Sequence, residues 1–140
     1  MAGAAGPAGP ERVVTREVMA AAVAKEWVAF QNVLFDFDKS NIRQSETTKV
    51  QAVVDFLKQN ANFQVGLDGY TDPRGTDAYN MRLSDRRAKA VEAALVGAGI
   101  SKDRIRTGAF GKRDRNCNEN TEECYQRNRR VEVFMRAAGG

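Results

Sequence analysis

The stretch GYTDPRGTDAYNMRLSDRRA, residues 69–88, decides the fold, because a strand ends and a helix begins within it. Residues 63–70 alternate between apolar and polar side chains, which is typical of a half-buried strand. The turn TDPRG follows, and residues 76–98 have the composition of a long helix that Gly99 caps. The sequence therefore predicts a strand, a tight turn and a long helix in direct succession.

Further strands and helices flank this unit on both sides. Strands are predicted at residues 32–37, 104–110 and 130–136, and a helix with one apolar face is predicted at residues 46–59. Strands that alternate with helices predict an α/β (α+β) two-layer sandwich, a small mixed β-sheet covered by helices. The domain is expected to span residues 31–137.

The first 30 residues are predicted to lie outside the domain as a tail or linker. Residues 1–10, MAGAAGPAGP, are rich in Gly and Pro, and residues 11–30 have a composition that predicts a short helix. No apolar run in the 140 residues approaches the roughly 18 that cross a bilayer, so no membrane span is expected in this sequence.

The composition excludes several classes of function. The chain has no histidine, which removes Ser-His-Asp and Cys-His nucleophilic pairs and His-ligated zinc. Its glycines form neither GxGxxG nor GxxxxGK[ST], and Asp36 and Asp38 open a calcium-like loop that lacks the required Gly and Glu. The formal charge of +4 is typical of a solvated surface of mixed charge. We therefore predict no cofactor, no metal and no nucleic-acid partner.

The two cysteines, Cys117 and Cys124, lie in the polar stretch between the last two predicted strands. A disulfide between them would close a small loop and stabilise the fold by about 2 to 3 kcal/mol in the chain-entropy model. Without histidine, two thiolates cannot complete a zinc site within one chain. The sequence favours a disulfide, and with it an oxidising compartment, while free thiols remain the alternative.

Polar residues share the buried stripe of the long predicted helix. At about 100° per residue, Val91 and Leu95 fall on one face, Asn80 and Arg87 continue that face toward the N-terminus, and Arg86 falls on the opposite side. A buried guanidinium needs acceptors. Two alternatives are open: a carboxylate of the same domain, or the carboxylate of a bound ligand, which the planar fork of Arg holds bidentately.

Asp72 lies in the turn directly before this helix, whose first N–H groups lack internal partners. Asp72 can accept from an ammonium group, while Arg87 and the helix amides can hold a carboxylate. The predicted ligand class is therefore an amino-acid-like zwitterion.

These residues also carry a resemblance to a known family. The pattern GxTDxxGxxxYNxxLSxxRA, met at every fixed position of residues 69–88, is similar to the signature of OmpA-like C-terminal domains. FDFDKSNI at residues 35–42 and NRRVEV at residues 128–133 match the same family, and CNENTEECYQRNRR resembles peptidoglycan-associated lipoproteins. The resemblance covers about residues 33–135 and implies an OmpA-like fold.

The resemblance implies non-catalytic binding of the peptidoglycan peptide stem through its meso-diaminopimelate residue. In the family, the aspartate of the TD pair and the arginine of LSxxRA hold that residue, and they correspond to Asp72 and Arg87. The same matching implies the other parts of the site. One wall is formed by Asp36, Phe37 and Asp38. The floor is formed by Thr71, Asn80 and Leu83, and the far rim by Arg129.

The resemblance further implies a periplasmic domain that tethers an outer-membrane protein or lipoprotein to the cell wall. Envelope proteins are expected as further partners, and contact with the membrane only through an N-terminal anchor or domain outside this sequence. Two other classes stay open from the residues alone. One is a cell-wall enzyme, for which no activated nucleophile is found, and the other is an interaction module whose groove near Arg87 binds a partner's C-terminus.

Overall fold

The computed structural model describes residues 26–137, in which four strands and three helices form two layers. The strands are β1 (Val28–Leu34), β2 (Phe63–Gly69), β3 (Ile105–Ala109) and β4 (Arg130–Ala137). The helices are α1 (Thr47–Gln59), α2 (Asp77–Gly97) and α3 (Glu122–Asn128), and short 3-10 turns lie at Gln44–Glu46 and Lys102–Arg104. The prediction of an α+β sandwich on a mixed sheet is confirmed.

The sheet has the strand order β1-β4-β2-β3 within the described residues. Strand β4 runs antiparallel to its neighbours β1 and β2, whereas β2 and β3 are parallel and are joined through α2. This connection is a βαβ unit, which places the start of α2 just beyond the carboxyl end of β2. The turn that contains Asp72 therefore lies at the edge of the sheet where β2 and β3 end.

One face of the sheet packs against α1 and α2 to form a hydrophobic core. Val65 and Leu67 of β2 point into this core and are fully buried, because side chains alternate across a strand. The two helices contribute their fully buried positions Val53, Leu57, Val91 and Leu95. The apolar faces predicted for both helices are thus confirmed. None of the helices in residues 26–137 combines the length and apolar character needed to cross a membrane.

The helix predicted at residues 11–30 is wrong for its last five residues, because residues 26 and 27 are neither helix nor strand and β1 begins at Val28. Val28–Leu34 forms β1, which pairs with β4 from Val28 opposite Met135 to Leu34 opposite Arg130. Strand pairing and burial outweigh the weak helix propensity of this segment. The rest of that predicted helix up to residue 25 and the linker predicted at residues 1–10 lie outside the described residues. Strand β1 also begins before residue 31, where the domain was expected to start.

A helix that the sequence did not predict, α3, lies in the polar stretch between β3 and β4. The Thr121 hydroxyl caps it by accepting a hydrogen bond from the Cys124 N–H at 3.2 Å, and Glu122 and Glu123 occupy its first turn. Cys117 and Cys124 form a disulfide, which confirms the pairing that the sequence favoured. The disulfide ties the first turn of α3 to the loop before it.

Strand β2 and helix α2 approach each other closely at Gly69. A Cβ atom at this position would overlap the main-chain carbonyl oxygen of Ser84, so a side chain does not fit. Ser84 is itself fully buried, and its hydroxyl donates to the Met81 carbonyl oxygen at 2.9 Å and accepts from the Gly111 N–H at 3.0 Å. This contact fixes the end of β2 against α2.

Gly69→Ala is expected to lower the free energy of unfolding by about 3 kcal/mol or more, because strand and helix must separate to admit the methyl group. Gly97→Ala is the matched control, since nothing lies within 4 Å of a Cβ atom there. At this last residue of α2 the change should raise the free energy of unfolding by no more than about 0.5 to 1 kcal/mol. Urea unfolding followed by circular dichroism measures the stability of both variants. Equal unfolding midpoints for the two variants would contradict the close approach at Gly69.

Candidate functional site

The turn between β2 and α2 is held by hydrogen bonds of its own residues. Thr76 caps α2, its hydroxyl oxygen accepting from the Tyr79 N–H at 3.1 Å. The Asn80 side-chain amide donates to the Arg74 carbonyl oxygen at 2.9 Å. Gly75 has a φ of +98°, a conformation that favours glycine. The segment from the TDPRG turn to the first turn of α2 is thereby fixed in one shape.

A cavity of about 230 Å³ opens beside this turn. The loop after β1, the turn after β2 and the first half of α2 form its walls. Its lining residues are Phe37, Asp38, Thr71, Asp72, Arg74, Gly75, Tyr79, Asn80, Leu83 and Arg87. Seven of the residues predicted to bind ligand therefore meet around one cavity.

Two of the predicted residues, Asp36 and Arg129, do not line the cavity. Asp36 supplies its main-chain carbonyl oxygen to Arg87, while its exposed carboxylate lies 3.4 Å from Nε of Arg43. Arg129, which was expected at the far rim, is not among the residues that line the cavity. It is 3% exposed and lies beside Asp72, because a hydrogen bond from its Nε to the main chain just after β1 holds the side chain inside the domain.

Sequence reasoning missed Arg74, Gly75 and Tyr79 as lining residues. For Arg74 a signal existed, because an Asp side chain commonly accepts from the N–H two residues on, and Arg74 stands two residues after Asp72. Tyr125, whose ring lies 4.3 Å from the Arg74 guanidinium, belongs to α3, which the sequence did not predict. Nothing in the local sequence indicates that contact.

Helix α2 turns polar residues inward, as its periodicity predicts. Asn80, Ser84 and Arg87 are at most 2% exposed, whereas Arg86 is exposed. Two arginines adjacent in sequence therefore differ in environment.

Main-chain oxygens hold the guanidinium of Arg87. Its Nε donates to the Lys39 carbonyl oxygen at 2.8 Å, Nη1 to that of Tyr70 at 3.0 Å and Nη2 to that of Asp36 at 3.0 Å. The internal carboxylate considered from the sequence is absent: within residues 26–137, Arg87 forms no ion pair. The three bonds leave one hydrogen on each of Nη1 and Nη2 for a further acceptor.

Burial lowers the pKa of Arg87 to about 10, and the nearby positive charge of Arg129 acts in the same direction. The guanidinium therefore stays protonated at neutral pH. Carbonyl dipoles satisfy its hydrogen bonds without cancelling its charge, so Arg87 is a buried cation in the cavity wall.

Asp72 is buried and is shared by two arginines. Its Oδ1 accepts from the Arg74 N–H at 3.0 Å and from Arg74 Nε at 3.2 Å. Its Oδ2 accepts from Arg74 Nη2 at 2.7 Å and from Arg129 Nη1 at 3.3 Å. Burial alone would raise the pKa of Asp72, but the hydrogen bonds and charge of Arg74, together with Arg129, outweigh burial and hold the pKa below its ordinary value.

The described part of the cavity region therefore carries more buried positive than negative charge. Asp72, Arg87 and Arg129 are all 4% exposed or less, so one buried carboxylate faces two buried guanidinium groups. A buried charge without a countercharge costs free energy. This arrangement favours an anion in the cavity.

The OmpA family matches residues 34–129 of the chain. Outer membrane porin F of Pseudomonas aeruginosa is 37% identical over 107 residues, which are 76% of this chain and 31% of the porin. The peptidoglycan-associated lipoprotein of Pseudomonas putida is 36% identical over 105 residues, which are 75% of this chain and 63% of the lipoprotein.

A solved structure shares the fold. The crystal structure of the peptidoglycan-associated lipoprotein from Burkholderia pseudomallei aligns with a TM-score of 0.73 at 28% identity, covering 76% of this chain and 90% of that chain. The chain spans about a third of the porin and less than two thirds of the Pseudomonas putida lipoprotein. These matches confirm the resemblance that the motifs indicated.

Arg87→Ala is expected to lower the free energy of unfolding by about 2 to 4 kcal/mol, because three main-chain carbonyl oxygens lose their donor inside the domain. Arg86→Ala removes the same charge from an exposed position and should change stability by no more than about 0.5 kcal/mol. Chemical denaturation of the two variants measures the difference. Identical unfolding midpoints for the two variants would contradict the stabilising role of the Arg87 hydrogen bonds.

Asp72 is expected to make stability depend on acid pH. Its folded-state pKa lies below the ordinary 3.8, so its contribution is present above that value and is lost as pH falls through the folded-state pKa. Asp72→Asn should therefore lose less stability than the wild type between about pH 5 and about pH 2 in urea unfolding.

Asp68 provides a control of opposite sign. Burial, and then the charge of Glu132, raise the pKa of Asp68. Protonation of Asp68 as the pH falls therefore raises the free energy of unfolding. Asp68→Asn should lose more stability than the wild type over the same pH range. Parallel pH profiles for Asp72→Asn and the wild type would contradict the assignment to Asp72.

Proposed function

The chain belongs to the OmpA family, and on that basis we propose that it binds the peptide stem of peptidoglycan without catalysing a reaction. Binding is directed to meso-diaminopimelate, whose side chain ends in both an ammonium and a carboxylate. One relative is named for its association with peptidoglycan and another as an outer-membrane porin. The proposed setting is the periplasm, where the domain tethers an outer-membrane protein or lipoprotein to the cell wall.

The observation that carries this proposal is the buried cation of Arg87 in the cavity wall. Its three donors go to main-chain oxygens, and it forms no ion pair within the described residues. A carboxylate is one of the anions that the planar fork of Arg binds bidentately. The cavity of about 230 Å³ lies below the range of about 300 to 1,000 Å³ typical of drug-sized ligands. It therefore suits the end of one side chain.

Asp72 and Arg87 give the proposed site opposite charges on one cavity. The ammonium of diaminopimelate is assigned to Asp72 and its carboxylate to Arg87. A lysine-containing stem keeps the ammonium and lacks the carboxylate, so it leaves Arg87 without an anion. The proposed selectivity rests on that missing charge.

The test is calorimetric titration of the wild-type protein with a stem peptide containing meso-diaminopimelate and with its lysine counterpart. We expect the lysine peptide to bind about 5- to 150-fold more weakly, corresponding to about 1 to 3 kcal/mol. A peptide whose side-chain carboxylate is amidated is the matched control. It keeps the size of diaminopimelate but loses the negative charge, and should bind as weakly as the lysine peptide.

Equal affinities for the three peptides would overturn the assignment of the carboxylate to Arg87. Undetectable binding of the diaminopimelate peptide would overturn the proposed function itself. The titrated peptides are then recovered and separated by chromatography. Unchanged peptides support binding without catalysis, and new products would contradict it.

A further inference from the structure

The carboxylate of Asp72 is fully occupied by groups of its own domain. A carboxylate offers about four acceptor sites on its two oxygens. Arg74 fills three of them, through its N–H at 3.0 Å, Nε at 3.2 Å and Nη2 at 2.7 Å, and Arg129 Nη1 takes the fourth at 3.3 Å. An ammonium that approaches Asp72 therefore has to replace a bond that already exists.

The two arginines on Asp72 differ in how easily they can leave. The Arg129 side chain is 4% exposed, and its Nη2 also donates to Glu122 at 2.7 Å. The Arg74 side chain is 41% exposed, although it covers the 5%-exposed side chain of Asp72. Arg74 can therefore move into solvent without opening the core, whereas Arg129 cannot.

Two aromatic rings hold the Arg74 guanidinium in place. Its central carbon lies 4.3 Å from the ring centroid of Phe37 and 4.3 Å from that of Tyr125. Such cation–π contacts favour a cation at this position whichever molecule supplies it. Asp72 and the two rings together form a subsite for a positively charged group.

We propose that Arg74 is the internal occupant of this cation subsite, and that a bound ligand displaces the Arg74 side chain from Asp72. The inference rests on the proposed function, because it assigns the ligand's ammonium to the place that the guanidinium fills. It makes Arg74 a residue that lowers the affinity for every ligand and restricts binding to ligands that bring a cation of their own. The Arg74 N–H, which belongs to the main chain, keeps its bond to Asp72 throughout.

The test compares the affinity of Arg74→Met with that of the wild type for the diaminopimelate stem peptide. Methionine keeps an unbranched apolar side chain that reaches about as far as the Arg Nε and packs favourably beside aromatic rings, but it has neither charge nor donors. Removing an internal competitor raises the fraction of binding-competent protein, and a partly exposed bidentate pair predicts binding about 3- to 10-fold tighter.

The matched control is Arg113→Met. Arg113 is exposed, lies outside the cavity and has its guanidinium carbon 5.7 Å from the ring centroid of Phe110. The Arg113→Met variant therefore removes the same charge and a similar contact at an exposed position outside the cavity lining, and its affinity should stay within about twofold of the wild type. Arg74→Lys is the second variant, to be used if Arg74→Met does not fold. A single ammonium cannot bond both oxygens of Asp72 in the fork geometry of Arg, so binding should again be tighter.

The outcomes separate the inference from the proposed function. Tighter binding by the Arg74 variants, with Arg113→Met unchanged, supports the displacement of Arg74. Equal or weaker binding by the Arg74 variants, with normal binding by the wild type, overturns the inference and leaves the proposed function standing. Binding by an Arg74 variant alone supports the inference, and an absence of binding by all proteins overturns both.

Discussion

The buried guanidinium of Arg87 is the constraint on which the site depends. Its three donors reach carbonyl oxygens in the loop after β1 and at the end of β2, so one side chain of α2 fastens both neighbouring segments. Dipoles replace the hydrogen bonds that water would make, but they do not supply a countercharge. The side chain that closes the cavity wall is therefore also the source of its positive potential.

The connection between β3 and β4 lies outside the lining of the cavity but contacts the residues that bond Asp72. Its helix α3 carries Tyr125 against Arg74 and Glu122 against Arg129, so both arginines that bond Asp72 also contact α3. The Thr121 cap and the disulfide that ends at Cys124 fix the first turn of this helix. A stretch whose composition indicates only a polar loop thus contributes to the environment of a residue about fifty positions earlier in the chain.

Much of this arrangement could be predicted from residues 69–88. Helical periodicity alone separates Arg87 from Arg86, because burial on α2 follows the 3.6-residue repeat. The acceptors of Arg87 could not be predicted, since main-chain carbonyl oxygens have no signature in the sequence. The burial of Arg129 beside Asp72 and the contact of Arg74 with Tyr125 could not be predicted either, because both depend on where α3 packs. At the N-terminus, the strand Val28–Leu34 depends on its pairing with β4, which outweighs local propensity.

The tight approach of Gly69 to Ser84 constrains how such a domain evolves or is redesigned. Gly69 precedes Asp72 by the same number of residues by which Ser84 precedes Arg87. The elements that carry the two charges therefore meet at a backbone-to-backbone contact that has no room for a side chain. Transplanting the charged pair into a foreign scaffold in the same geometry therefore requires the glycine to be transferred with it.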